Sequence, residues 1–274
     1  MMFLLVFIGF QFRLPHNHGS SCGQARIIRL ANTGPPQLTP IMDDAYKHWI
    51  KISNIVNEEL ISPAPMLMVS RTKDRIKKAA ASMELGGQAP VWLTPAQTNA
   101  KYSTNFTDDF MMFEDTTAGV MRADRCVAAV QIGEDPSSLL EEQEIPSASF
   151  VDLTASNYLY GLPALDSAGC YKSRGSINTN RVLDSYSLLL YGAKSSSTVY
   201  TVSPDGECIL DRCPKHPNII FATGFTGTGF KLAPTVGNIL AGMVLGRDHG
   251  FDVSPFGAAR FDNFKTQYHL NSKY

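Results

Sequence analysis

Gly224, Gly227 and Gly229 stand at intervals of two or three residues in Ala222-Thr223-Gly224-Phe225-Thr226-Gly227-Thr228-Gly229-Phe230-Lys231-Leu232-Ala233-Pro234, and Lys231 follows just behind the last of them. Glycines so spaced let a backbone come close to a flat or anionic ligand, and the free N–H groups of a following helix then point at the same place. Spacing alone favours an ordinary tight turn. Lys231 changes the reading, because a cation just inside the ligand end of such a loop has little structural use there and suits an acidic group to be held. The elements that must position it are legible on both sides. Asn218-Ile219-Ile220-Phe221 reads as a short buried strand, and Thr235 to Leu245 has helical spacing, so the order is strand, glycine loop, helix.

The 274-residue chain is 44% apolar with a formal charge of −1, which is enough to bury a sizeable core in one or two domains. Lys and Arg balance Asp and Glu, so there is no basic stripe to bind a nucleic-acid backbone. The five cysteines, Cys22, Cys126, Cys170, Cys208 and Cys213, are odd in number and scattered. That pattern fits structural thiols in a reducing compartment better than a disulfide framework, and Cys208 and Cys213 lack zinc-site spacing. No metal is expected.

Met1 to Phe12 is an apolar run too short to span a bilayer. It reads as a buried strand of a parallel sheet, or else as the core of a leader that lacks a preceding basic residue and a prompt cleavage site. From Pro40 to Leu60 the positions Ile41, Ala45, Trp49, Ile52, Ile55 and Val56 have helical period. A strand is expected over Met66 to Ser70, a helix with a solvated basic face over Arg71 to Met83, and strands at Val91 to Pro95 and Phe110 to Asp115. The sequon Asn105-Phe106-Thr107 carries little weight without a secretory signal.

The segment Gly224 to Pro234 resembles the C-terminal flavin loop of the sarcosine oxidase family, FAD-dependent oxidases of N-methyl and cyclic secondary amino acids. Flanking stretches agree: Tyr200 to Asp205 and Ile209 to Asp211 upstream, Asp252 to Phe256 and Arg260-Phe261 downstream. A second stretch, Leu14 to Arg29, matches the family near the N-terminus, and Tyr160-Gly161-Leu162-Pro163 running to Lys172 falls between them in order. The resemblance implies an α+β or α/β protein, with an incomplete Rossmann-like FAD-binding domain packed on a mixed or antiparallel-sheet substrate domain. Residues 1–40 and 196–262 would form the partial FAD-binding domain, 41–195 a shortened substrate domain, and 263–274 a tail.

Residue by residue, the resemblance places Arg29 and Lys231 as the clamp for a substrate carboxylate, with Tyr160 and Thr228 beside the substrate. Ser20, Ser21, Gly23, Arg26, Gly224, Gly227 and Gly229 would line FAD, with Lys231. Lys172 matches a lysine that assists electron transfer to oxygen. Two departures stand out. Thr198 replaces the cysteine of covalent flavin attachment, so FAD is expected to be noncovalent. Thr228 replaces a histidine, which removes a titrating group and bears on substrate preference.

The family's first strand, G-x-G-x-x-G turn and helix would precede this chain, and the strand Met1 to Phe12 offers no carboxylate over Ile8 to Gln11 for the adenosine ribose. After Gln131 and again at Ser173 to Ser197 the text contracts relative to the family. Missing inner strands would leave unpaired backbone groups and an aggregation-prone product. The implied reaction is oxidation of a secondary amino acid such as sarcosine or L-pipecolate, with O2 giving hydrogen peroxide. The alternative is a noncatalytic, shortened relative. A secreted binding protein would require the resemblance to be accidental. Ser272-Lys273-Tyr274 holds two residues of a peroxisomal terminal signal, so peroxisomes are expected, with the cytoplasm as the alternative. A monomer is expected, with no nucleic-acid or membrane partner.

Overall fold

The computed structural model describes residues 20, 21, 23, 25–130, 149–152, 160–161 and 201–262, the side chains of 149–152 and 160–161 excepted. The expected strand Met1 to Phe12, Lys172, Thr198, Tyr200 and the terminal tripeptide lie outside them, as does the side chain of Tyr160. The fold is α+β. The elements run β1 (Ala25–Ile28), α1 (Leu38–Val56), β2 (Ile61–Pro63), β3 (Met66–Ser70), α2 (Lys73–Leu85), β4 (Val91–Leu93), α3 (Pro95–Tyr102), β5 (Met111–Asp115), β6 (Gly119–Arg122) and α4 (Ala123–Val130). They continue with β7 (Ser149–Asp152), β8 (Tyr160–Gly161), β9 (Ile209–Cys213), β10 (His216–Thr223) and α5 (Gly229–Leu245), then two short 3-10 turns, Ser254–Phe256 and Ala258–Phe261.

Three sheets carry the strands. β1-β6-β2 is antiparallel, β9-β10 is an antiparallel pair, and β4-β5-β3-β7-β8 is mixed, with β3 and β7 parallel. β3 is the centre of the mixed sheet and all five of its residues are buried. That explains its unbroken run Met66-Leu67-Met68-Val69, because a strand covered on both faces needs no polar alternation.

α1 buries Leu38, Ile41, Met42, Ala45 and Trp49 on one stripe, the period expected from sequence. α2 buries Ile76, Ala79, Ala80 and Met83 and leaves Lys73, Lys77 and Lys78 exposed. One apolar cluster joins residues of α1, α2 and β3 to Leu210 of β9, Phe256, and Leu232, Val236 and Ile239 of α5. The expected domain boundary at 40/41 falls inside α1, and α1 packs on α5, so a single core crosses it.

Local structure departs from the sequence reading in several places. Ile55, expected on the apolar stripe of α1, is 61% exposed, and the strand expected over Val91 to Pro95 ends at Leu93 because Pro95 opens α3. The strand expected to be buried at Asn218 to Phe221 is part of β10, where Asn218 is exposed and Ile219 is 49% exposed. Among the described residues β10 pairs with β9 alone. α5 begins at Gly229, six residues before the expected start at Thr235, with Pro234 inside it. Pro234 removes the hydrogen bond that would end on the Phe230 carbonyl, but so near the N-terminus the helix tolerates the loss. α3, which the sequence reading did not place, opens on a reciprocal cap. Gln97 N–H donates to Thr94 Oγ1 at 3.2 Å, and Thr94 N–H donates to Gln97 Oε1 at 2.8 Å. Thr94→Ala should therefore cost about 1 kcal/mol, read as a lower urea midpoint.

Candidate active site

The glycine loop between β10 and α5 turns through left-handed backbone at Gly224 (φ 65°), Thr226 (φ 48°) and Gly227 (φ 88°). A Cβ on Gly229 would sit 2.9 Å from Cγ of Phe225, so only glycine lets the chain close there. Thr228 precedes the helix, and its hydroxyl donates to the Phe225 carbonyl at 2.7 Å, which ties it to the loop.

Early entry into the helix puts Lys231 in the first turn of α5, facing inward. It is only 6% exposed, and among the described residues its ammonium makes no hydrogen bond or ion pair. A buried ammonium is costly unless something anionic meets it. Burial draws its pKa down to about 7, the positive charge of Arg29 pushes the same way, and Asp115 opposes both. Arg29 and Lys231, 202 positions apart in sequence, therefore lie within each other's field.

Two contacts hold the first turn of α5 on α1. Trp49 Nε1 donates to the Lys231 carbonyl at 2.8 Å, and Trp49 stacks on Phe230 with centroids 6.0 Å apart and an interplanar angle of 5°. One turn further along, Thr235 Oγ1 donates to Asp44 Oδ2 at 2.9 Å, and His48 lies 3.2 Å from the same carboxylate oxygen.

On the other side, Arg29 is the first residue past β1. Its Nη1 donates to the Ala31 carbonyl at 2.7 Å and lies 3.7 Å from Met68 Sδ. The guanidinium of Arg26 lies 5.4 Å from the Phe230 ring centroid, and its Nη2 donates to the Ser20 carbonyl at 2.5 Å. Ser20, Ser21 and Gly23 are exposed, with Gly23 at φ 93°. The structure therefore brings Arg26, Arg29 and Lys231 around the head of α5, with Ser20 tied to Arg26.

Sequence reasoning missed Asp115, Thr117 and Tyr46. Asp115 is fully buried at the end of β5, and its Oδ2 accepts from Ala31 N–H at 2.9 Å. Its Oδ1 accepts from Thr117 N–H at 2.9 Å and from Thr117 Oγ1 at 2.5 Å. Tyr46 donates to the Thr117 carbonyl at 2.8 Å, and burial together with Asp115 raises its hydroxyl pKa well above the usual tyrosine value. A carboxylate closing the apolar run Met111-Met112-Phe113 was the available signal.

The lowered pKa has a consequence for stability. Between the folded value near 7 and the ordinary lysine value of 10.5, the unfolded chain binds the proton that the folded chain lacks, so stability rises with pH across that window. The penalty is full below 7. The urea midpoint of the ligand-free protein should climb from pH 7 to pH 9.5, and Lys231→Met should flatten that climb.

The fold is similar to that of solved amino acid oxidases. The solved structure of NikD, an unusual amino acid oxidase essential for nikkomycin biosynthesis, superposes with a TM-score of 0.61 at 13% identity, covering 89% of this chain and 88% of that one. In sequence the chain is 25% identical to mouse peroxisomal sarcosine oxidase over 349 residues, covering 92% of this chain and 88% of the relative. It is also 43% identical to N-methyl-L-tryptophan oxidase of Salmonella typhimurium over 72 residues, 26% of this chain and 18% of that protein. No protein-family model matches the chain. The 349-residue alignment is longer than this 274-residue chain, so the mouse protein has residues with no counterpart here. Among the described residues no helix is long and apolar enough to cross a membrane, and no group of His, Cys, Asp and Glu could hold a metal ion.

The residues present fit a flavin and an acid. Glycine backbone in left-handed turns admits a flat group, and the buried Lys231 ammonium, which makes no hydrogen bond or ion pair among the described residues, can still take an acid's oxygen.

Proposed function

We propose that this protein is an FAD-dependent oxidase of N-methyl or cyclic secondary amino acids, of the sarcosine and L-pipecolate type. The observation that carries the reading is the buried ammonium of Lys231 at the head of α5, within the field of Arg29. Arg29 offers a planar fork to the substrate carboxylate, and Lys231 adds charge from the helix side. Arg26 and the loop Gly224, Gly227, Gly229 would hold FAD, with Ser20, Ser21 and Gly23 at its edge, and Thr228 would border the substrate. Lys172 and Tyr160 complete the set. FAD, when bound, supplies the two-electron acceptor for the substrate C–N bond. The amine gives up two electrons and two protons to become an imine, and O2 takes up both to become hydrogen peroxide. With Thr198 in place of a cysteine, FAD would be noncovalent. The substrate arrives through its carboxylate, so the positive charge held in the low-dielectric core does the orienting. Peroxisomes suit a peroxide-forming enzyme.

A second reading, a noncatalytic relative, is favoured by one observation: the mouse relative has residues that this chain lacks. Absorbance separates the two. The oxidase reading expects purified protein to carry flavin absorbance that acid releases entirely into solution, with peroxide formed from sarcosine, pipecolate or another N-methylated amino acid. Folded protein that takes up no FAD and yields no peroxide from any of them leaves the noncatalytic reading standing.

A further inference from the structure

The turn after β5 places a buried carboxylate among the groups assigned above to the substrate. Asp115 is 0% exposed, and among the described residues its carboxylate accepts from two places, Thr117 just beyond it and Ala31 in the loop after β1, 84 residues away. The Thr117 bonds alone would describe an ordinary turn cap, in which an Asp side chain accepts from the N–H two residues on. The bond to Ala31 does something else. Ala31 donates its N–H to Asp115 and accepts Arg29 Nη1 on its carbonyl, so the carboxylate fixes the peptide on which the guanidinium rests.

We propose that Asp115 is a positioning residue of this site, the resident counter-charge of Lys231 and, through Ala31, the anchor of Arg29. The inference rests on the reading of Arg29 and Lys231 as the carboxylate clamp, and it adds the group that holds the clamp ready before any ligand arrives. Of the charged groups around Lys231, Arg29 from the β1 loop disfavours the ammonium and Asp115 from the β5 turn favours it. Tyr46 from α1 donates to the Thr117 carbonyl and lies within the field of Asp115, and Asp44 with His48 on α1 meets α5 a turn away at Thr235. Asp115 is therefore the carboxylate whose field favours the Lys231 ammonium, and without it Lys231 would give up its proton at a lower pH, leaving Arg29 as the charge that meets an acid.

A double-mutant cycle on the ligand-free full chain tests this without flavin or turnover. Urea midpoints are measured from pH 5 to pH 10 for wild type, Asp115→Asn, Lys231→Met and the double variant. Asp115→Asn should move the inflection near pH 7 down by about one unit, and its loss of midpoint should shrink by at least about half when Lys231 is already methionine. A carboxylate that serves only as a turn cap would lower the midpoint equally at every pH and equally in both backgrounds, which overturns the proposal. If Asp115→Asn does not fold, the double variant decides: its folding supports the counter-charge role, and its failure to fold overturns it. Wild type that takes up no FAD while the cycle shows the expected coupling would sink the oxidase reading and leave this one in place.

Discussion

Replacing Lys231 with methionine should make the protein more stable and the enzyme far worse. Below pH 7 the wild-type chain carries an ammonium that is 6% exposed and has no hydrogen bond among the described residues. A thioether of similar length keeps the packing beside Leu232 and removes a desolvation cost that outweighs the attraction of Asp115, which retains its bonds from Ala31 and Thr117, so the urea midpoint below pH 7 should rise. The same change strips the clamp of its helix-side charge. Losing one partner of a desolvated charge pair costs about 2–5 kcal/mol, so kcat/KM on a secondary amino acid should fall by about thirtyfold or more, mainly through KM. Urea titration and steady-state peroxide assay on one preparation check both halves. A variant that is less stable and equally active would show Lys231 to be a structural residue.

Trp49→Ala should be the most damaging of the packing changes. Trp49 is 2% exposed, stacks on Phe230, packs with Ile28, Leu60 and Met121, and donates to the Lys231 carbonyl at 2.8 Å. Truncation removes most of a large buried ring, about 3–5 kcal/mol, and frees the first turn of α5 from α1. Trp49→Phe separates the two roles. It keeps an aromatic face for Phe230 and loses only the indole donor, about 1 kcal/mol. The expected result is a large drop in urea midpoint for alanine and a small one for phenylalanine, with substrate KM raised in both because Lys231 rides on that turn. Equal midpoints for the two variants would contradict the stacking account.

These residues differ in how far the sequence disclosed them. The strand, glycine loop and helix were legible because glycine at positions 224, 227 and 229 and the periods on either side are local properties of the chain. α1 was legible for the same reason, its stripe from Ile41 to Trp49 repeating at helical spacing. The start of α5 was not, since Pro234 commonly marks a boundary and here stands inside the first turns. Thr94-Pro95-Ala96-Gln97 spells a capping box that could have announced α3. Asp115 was out of reach in a different way. Its role depends on Ala31 and Lys231, 84 and 116 positions away, and only the packing of the β5 turn against the β1 loop and α5 brings the three together. Exposure of Ile219 likewise depends on what pairs with β10, which no local pattern records.

The most direct test is anaerobic. Full-length protein is loaded with FAD, and sarcosine or L-pipecolate is added in the absence of oxygen while the visible flavin absorbance is followed. The account predicts bleaching by at least one of them in wild type, recovery with peroxide when air is admitted, and no bleaching at the same substrate concentration with Lys231→Met. Flavin-loaded wild type that keeps its colour with every N-methyl and cyclic secondary amino acid tried, or a Lys231→Met variant that bleaches as readily as wild type, would contradict it.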